Sequence, residues 1–243
     1  MSTLGMLDCI GSNVILHIPH SSTNIHPKLI QDIGEDFHKL TDHATDKIFD
    51  IDGHTSIIFP YSRFYCDVER FEVDPMEEKG MGFYYTKNIK GETFRNEMDK
   101  PYILEHIYKP HHEKLNKECD VMMEVYNSAL IVDCHSFGND IINNEDAIEI
   151  CIGFNENTNK RLIDVCVSYF SGLGYTVGEN NPYVGAMMPI KYANDDRVQS
   201  VMIEINKSLY MENGLVVDEK VDMLHKVMKI LVNNINMCTL HNN

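Results

Sequence analysis

The chain has 243 residues, 43% hydrophobic and 24% charged, a composition typical of a soluble globular protein with a substantial core. Its 37 acidic and 21 basic side chains give a net charge of −16 without a basic patch, which argues against nucleic acid or an anionic membrane as partner. No stretch reaches the roughly 18–20 apolar residues that span a bilayer, and no secretory signal is expected at the N-terminus.

The cysteines suggest a reducing compartment. There are seven, an odd number, widely spaced and without a C-x-x-C pair. In a chain of this size that pattern predicts reduced, buried thiols and a cytoplasmic protein. A zinc site built from cysteines is therefore not expected.

Short apolar runs alternate with helical patterns along the chain. The predicted strands, buried on both faces, are residues 14–18, 56–59, 129–132, 148–152 and 198–205. The predicted helices are residues 41–51 with Thr41 as N-cap, 102–126 with a break at Pro110, 160–173 closed by Gly174, and 217–237.

This alternation predicts the fold class. We expect an α/β protein with a mixed, mostly parallel sheet flanked by helices on both faces. No repeat or linker-like segment interrupts it, so the prediction is one domain over residues 1–243. The polar stretches 72–100, 138–147 and 178–197 are long for plain connections, and loops of that length are often functional.

Two histidines follow predicted strands directly. His20 comes just past the first strand, where Pro19 stops the ladder, and His135 follows Asp133 at the end of another apolar run. In α/β sheets, ligands gather at the carboxyl ends of strands, so these imidazoles could converge on one metal ion. A single histidine at a strand end is more often a hydrogen-bonded structural residue, and it is the pair that indicates a metal.

A catalytic zinc commonly takes two histidines and one carboxylate. Asp42 and Asp46 lie four residues apart in the helix predicted over 41–51, and either could supply that carboxylate. Other histidines fit the role less well. His17 lies within the strand and is expected to be packed, and His111 with its neighbour His112 should point apart on a helix.

Glu204 and a pair of arginines are further candidates. Glu204 sits inside an otherwise apolar strand, where a carboxylate needs a partner or a raised pKa, so it is either a general base or a salt-bridged structural residue. Arg63 and Arg70 flank Asp67, and each could grip a substrate carboxylate or pair internally.

Six short motifs together resemble one family. In chain order they are PHSS, TDHATD, SRFYCDVER, YKPHHEKL, DCHSF and IEINKSLYM, between about Asn13 and Met211. The set resembles the N-formylglutamate amidohydrolases, or N-formylglutamate deformylases, metal-dependent enzymes related in fold to the zinc carboxypeptidases.

The resemblance implies roles for particular residues. His20, Asp46 and His135 would hold one divalent metal ion, zinc in the first instance, with Asp42 as the alternative carboxylate. Glu204 would be the catalytic glutamate. Arg70, with Arg63 as second candidate, would bind the carboxylate of a small N-acyl amino acid such as N-formyl-L-glutamate, whose amide is hydrolysed.

The chain departs from the family pattern in several places. Thr23 stands where the carboxypeptidases carry a glutamate ligand, Ser22 replaces the glycine of PHSG, Gly185-Ala186 replaces a Gly-Gly pair, and Asp-Leu-Asn-Arg has become Asp-Val-Glu-Arg. Two alternatives stay open. The same centre could serve a metallopeptidase or peptidoglycan amidase, or the fold could belong to a non-catalytic binding protein.

Overall fold

The computed structural model describes residues 11–140, 142–143 and 145–240, with side chains described as far as residue 236. Within that part of the chain, no helix has the length and apolar character needed to cross a membrane. The expectation of no secretory signal rests on residues 1–13, of which residues 1–10 lie outside the described residues. A single domain over residues 1–243 also stays a prediction.

A six-stranded mixed sheet forms the centre of the molecule. Its strands are β1 (Val14–Ile18), β2 (Thr55–Ile58), β3 (Ala129–Phe137), β4 (Ile150–Gly153), β5 (Val177–Glu179) and β6 (Val198–Asn206). The spatial order is β2-β1-β3-β6-β4-β5. The first four strands in that order run parallel, and β4 pairs with β6 in the antiparallel sense. A separate hairpin joins β7 (Met211–Glu212) to β8 (Leu215–Val216).

Helices surround this sheet. They are α1 (Pro27–Ile33), α2 (Asp36–Leu40), α3 (Thr45–Phe49), α4 (Lys100–Ile103), α5 (Lys109–Tyr126), α6 (Lys160–Gly172) and α7 (Asp218–Leu240). Single turns of 3-10 helix occur at Pro75–Lys79, Ile190–Tyr192 and Lys207–Leu209, and Leu104–Tyr108 form a π-helix.

The sheet is covered on both faces, as its apolar strands require. On one face, Leu16, Val132 and Ile203 pack into the core that α3, α6 and α7 cover. On the other, alternate residues such as Ile15 and Ile131 pack against α5. The predicted fold class, an α/β protein with a mostly parallel mixed sheet flanked by helices, is confirmed.

The helix predicted over residues 41–51 is wrong at its start. Thr41 is not an N-cap; it ends α2, where its Oγ1 donates to the carbonyl of Phe37 at 2.6 Å. Ala44 has a positive φ of 61°, which breaks the helical path before α3 begins at Thr45. Residues 42 and 46 therefore do not share one helix face.

The break expected in residues 102–126 lies just before Pro110. Proline has no N–H to donate to the carbonyl four residues earlier, so it is accommodated in the first turn of a helix and interrupts the regular hydrogen bonding before it. The chain forms the π-helix Leu104–Tyr108 there, and α5 begins at Lys109. The short strand β5 carried too few residues to be predicted.

Five cysteines behave as expected. They are buried and form no disulfide bond with one another: Cys66, Cys119, Cys134, Cys151 and Cys166. Cys9 and the side chain of Cys238 lie outside the described residues, and a cytoplasmic location stays a prediction.

Candidate active site

The parallel pairing of β1, β3 and β6 brings the predicted polar residues together. His17 lies opposite Asp133 across β1 and β3, and His135 lies opposite Glu204 across β3 and β6. These residues alternate along their strands with apolar ones that face the opposite core. They therefore project on one face of the sheet, near its carboxyl edge.

His135 belongs to a group of three side chains that could hold a metal ion, together with His20 and Asp42. Asp42 Oδ2 lies 3.1 Å from His135 Nδ1 and 3.7 Å from His20 Nδ1. His20 and Asp42 are held beside each other because the Asp42 amide donates to the His20 carbonyl at 3.0 Å. All three residues are buried, and His20 Nδ1 has no hydrogen-bond partner in the described part of the chain.

The carboxylate at this cluster is Asp42 and not Asp46, the residue preferred from sequence. Asp46 is partly exposed in the first turn of α3 and does not belong to the cluster. The reason is the turn at Ala44, which separates the two aspartates instead of stacking them on a helix. Of the ligands predicted from sequence, the structure thus brings together His20, His135 and Asp42, which was the alternative carboxylate.

The carboxylates around the cluster favour a positively charged group at its centre. Burial opposes the charged form of His135, yet Asp133, Asp42 and Glu69 together raise the pKa of this histidine well above its usual range. Burial would also raise the pKa of Asp42, but the hydrogen bond to His135 and the positive charge of the nearby His20 lower it. A ring so surrounded by carboxylates needs a proton or a metal ion on its nitrogens.

Asp67 orients His20 by contacting the ring nitrogen that faces away from Asp42. Its Oδ1 lies 2.8 Å from His20 Nε2, and its Oδ2 accepts from Arg63 at 2.9 Å and from the Tyr85 hydroxyl at 2.7 Å. Burial would raise the pKa of Asp67, but Arg63 and His20 hold it well below its usual range. A carboxylate that fixes a histidine in this way sets which ring nitrogen is free for a ligand.

We expect Asp67→Asn to destabilise the fold, because it leaves the buried guanidinium of Arg63 without its carboxylate. Breaking a buried ion pair costs about 3–5 kcal/mol. Urea unfolding at pH 7 measures this loss, and Asp164→Asn, in the exposed pair with Lys160, should leave the free energy of unfolding unchanged.

The destabilisation should depend on pH. Because the folded-state pKa of Asp67 is depressed, its contribution is fully present above the pKa of an unfolded aspartate and is lost as the pH falls toward the folded value. The gap between wild type and Asp67→Asn should therefore shrink in acid. An equal gap at pH 7 and pH 3 would contradict this origin.

Glu204 is buried at the edge of the same cluster. Burial raises its pKa to about 8, with Asp42 adding to the rise and His135 opposing it. Its Oε2 has no hydrogen-bond partner within the described ranges. A salt-bridged structural role would require a partner for this oxygen, and the described residues provide none. With this raised pKa, the carboxyl group can exchange a proton near neutral pH.

The two arginines differ in how many hydrogen bonds they make within the protein. Arg63 is buried and donates to Asp67 and to the Leu40 carbonyl. Arg70 is about one-third exposed, its Nε is 3.9 Å from Asp67 Oδ2, and that nitrogen has no hydrogen-bond partner among the described residues. The Nε of Arg63 also lacks a partner among the described residues, but both terminal nitrogens of Arg63 already donate. Arg70 therefore has more donors left for a ligand.

A cavity of about 640 Å³ opens over the cluster. His20, Asp42, His135 and Glu204 form part of its wall. Its cationic lining residues are Lys39, Arg63, Arg70 and Lys79. The same cavity is lined by four carboxylates, those of Asp42, Glu69, Asp133 and Glu204. The volume falls in the range of small-molecule sites, and the cations can each pair with an anionic group of a ligand.

The loop before β6 closes one side of this cavity. The Met187 amide donates to Asp133 Oδ2 at 2.9 Å, and the Ala186 amide donates to the side chain of Asn155 at 3.3 Å. Gly185 has a positive φ of 87°, a conformation that suits glycine, whereas Ala186 needs no such freedom. The replacement of a second glycine by Ala186 is thus compatible with the loop.

Sequence reasoning did not anticipate the polar surroundings of His17. It is packed as expected, but polar groups surround it: Nδ1 lies 2.9 Å from Asp133 Oδ1 and 3.0 Å from Glu69 Oε1, and Nε2 lies 2.8 Å from His111 Nε2. The one signal in the sequence is the three-residue spacing of His17 and His20, but a residue within a buried strand is expected to face an apolar core.

The fold and this cavity define the class of protein: an α/β protein with a small-molecule site at the carboxyl edge of its parallel strands. The chain belongs to the N-formylglutamate amidohydrolase family, whose model matches residues 12–211. This confirms the family resemblance of the six motifs; the more distant relation to the zinc carboxypeptidases stays a prediction.

Individual relatives agree with the family. An N-formylglutamate deformylase from Pseudomonas putida is 24% identical over 221 residues, covering 82% of each chain. The crystal structure of an N-formylglutamate amidohydrolase from Ralstonia eutropha JMP134 superposes with a TM-score of 0.76 at 19% identity, covering 96% of this chain and 95% of that one. A gene product of Agrobacterium tumefaciens gives 0.65 at 22% identity, covering 92% of both chains. The two structures support the fold.

Proposed function

We propose that this chain hydrolyses the amide bond of a small N-acyl amino acid that carries a carboxylate, such as N-formyl-L-glutamate. One observation carries the proposal: His20, Asp42 and His135 converge on one point in a cavity that also contains Glu204 and Arg70. The family of the chain and the name of its Pseudomonas putida relative support the same reaction.

The cluster fits a divalent metal ion, zinc in the first instance. Two imidazoles and one carboxylate are a common zinc donor set, and the unpartnered Nδ1 of His20 marks where a ligand bond is missing. We propose His20 Nδ1, Asp42 Oδ2 and His135 Nδ1 as the donor atoms. A divalent ion held there supplies Lewis-acid activation of the amide carbonyl and of water.

Glu204 and Arg70 have the other two roles, proton transfer and substrate binding. Glu204 takes a proton from the attacking water and delivers it to the nitrogen of the leaving amine, so that formate and the free amino acid are released. Arg70 binds the substrate carboxylate and thereby orients the amide toward the cluster. Arg63 has a positioning role, since it holds Asp67 and through it His20.

The size of the cavity favours a small substrate over a polymer. About 640 Å³ accommodates an N-acyl amino acid, and α/β proteins bind such ligands at this edge of the sheet. A peptidase or peptidoglycan amidase would use the same centre with a longer binding groove, and assays on short peptides and N-acyl muramyl peptides address it directly.

The direct test is formate release by the purified protein. We expect turnover of N-formyl-L-glutamate, its loss after dialysis against a chelator, and its return with zinc. N-formyl-L-leucine, which keeps the formamide but lacks the side-chain carboxylate, serves as the matched substrate. A protein that stays inert with zinc, cobalt and manganese on all N-acyl amino acids would overturn the proposal and favour a binding protein.

Arg70→Gln should raise KM for the carboxylate substrate with little change in kcat. A hydrogen bond to a charged group contributes about 1.5–3 kcal/mol, which corresponds to roughly a 10–100-fold rise. Steady-state kinetics measure it, with Arg161→Gln on the exposed face of α6 as the control. If the KM of Arg70→Gln matches wild type, Arg70 is not the carboxylate anchor.

A further inference from the structure

A second group of potential ligands lies beside the first. It consists of His17, Glu69 and Asp133, whose donor atoms all lie within 4.8 Å of one another. His17 and Asp133 are fully buried, and the side chain of Glu69 is 16% exposed. Glu69 and Asp133 line the cavity, so the group can be reached from it. The proposed reaction uses none of the three.

Hydrogen bonds alone do not account for this arrangement. His17 Nδ1 lies 2.9 Å from Asp133 Oδ1 and 3.0 Å from Glu69 Oε1, although this nitrogen carries at most one hydrogen. Glu69 Oε1 is buried and makes no hydrogen bond to any described residue. A single proton on His17 Nδ1 can therefore bond only one of the two carboxylate oxygens well. The other oxygen is left without a positively charged partner.

His135 contributes an independent sign that the group is a ligand site. This residue is 5% exposed, and its Nε2 makes no hydrogen bond of acceptable geometry within the described part of the chain. That nitrogen nevertheless points at the group, at 3.2 Å from Asp133 Oδ1 and 3.9 Å from Glu69 Oε1. The opposite nitrogen of the same ring faces Asp42 in the first cluster.

The distances suit a divalent ion. Ligand bonds of about 2.0–2.2 Å at tetrahedral angles separate donor atoms by roughly 3.3–3.6 Å. The distances of 2.9 and 3.0 Å around His17 Nδ1 need only a slight opening to reach this spacing. Two carboxylates also neutralise a divalent charge, and imidazole with carboxylate suits zinc and manganese.

We propose that His17 Nδ1, Glu69 Oε1 and Asp133 Oδ1 form a second divalent-metal site, separated from the first by the ring of His135. The ion would lie beside the cavity, where it adds positive charge facing an anionic substrate.

Equilibrium dialysis against Zn²⁺ at pH 8, followed by elemental analysis, tests the site on the full chain. We expect two equivalents for wild type and one each for Glu69→Gln and Asp42→Asn, because each isosteric change removes a ligand of one site only. The double variant should bind none. Glu72→Gln, an exposed neighbour, is the matched control and should bind two. Circular dichroism of each variant confirms that it is folded.

The outcomes separate the two proposals. One equivalent that is lost in Asp42→Asn and kept in Glu69→Gln overturns the second site and leaves the first intact. One equivalent that is kept in Asp42→Asn and lost in Glu69→Gln supports the second site and overturns the proposed catalytic centre. His17→Asn repeats the test from another ligand, and two equivalents retained there would also overturn the second site.

Discussion

Glu204→Gln should lose turnover while the protein keeps its metal. The amide has nearly the shape of the carboxyl group but cannot accept a proton from water. General acid–base catalysis contributes about 10²–10⁴-fold, so we expect kcat to fall by that factor with KM little changed. Formate release measures the rate, and elemental analysis of the same preparation measures the metal.

The control for this experiment is Glu212→Gln, which alters an exposed glutamate paired with Lys220 on the β7–β8 hairpin. It should turn over like wild type. If Glu204→Gln retains wild-type kcat, Glu204 is not the general base. If it instead loses the metal together with activity, Glu204 supports the centre structurally and its role as base has to be withdrawn.

Asp42→Asn and Asp46→Asn form a matched pair with opposite expected results. Asp42 lies 3.1 Å and 3.7 Å from the Nδ1 atoms of His135 and His20, whereas Asp46 is outside the cluster. Loss of an outer-shell partner costs roughly 10–100-fold in metal affinity, and loss of a direct ligand should cost more. We therefore expect Asp42→Asn to lose tight binding at this centre and nearly all activity.

Asp46→Asn should bind metal and turn over substrate like wild type. Competition with a chromophoric chelator measures the affinity of each variant. Equal affinities for wild type and Asp42→Asn would remove Asp42 from the centre. A loss confined to Asp46→Asn would restore the assignment made from sequence and would require the segment before α3 to rearrange.

The aspartate assignment shows where reasoning from sequence ends. Spacing of four residues predicts a shared face only if both residues are helical. Ala44 adopts a positive φ, which alanine visits rarely and only when the surrounding structure holds it there. Nothing in the local sequence signals this conformation, so the choice between Asp42 and Asp46 needed the folded chain.

The same limit applies to the arginines and to His17. Arg63 and Arg70 flank Asp67 at similar separations, and only the burial of Arg63 against Leu40 shows which arginine is occupied. The partners of His17 come from distant parts of the chain, Glu69 and Asp133, and pairwise contacts of that kind leave no local pattern.

The sequence by itself determined the α/β class and five of the six strands of the central sheet, because buried strands leave local patterns of apolarity. It also supplied four residues of the proposed site, His20, His135, Glu204 and Arg70, because they lie at or near the ends of those strands or beside Asp67. Only the tertiary structure decided the sheet order, the antiparallel β4, the choice of Asp42 and the group around His17. These depend on contacts between residues far apart in the chain, whose energies are set by packing and charge in three dimensions.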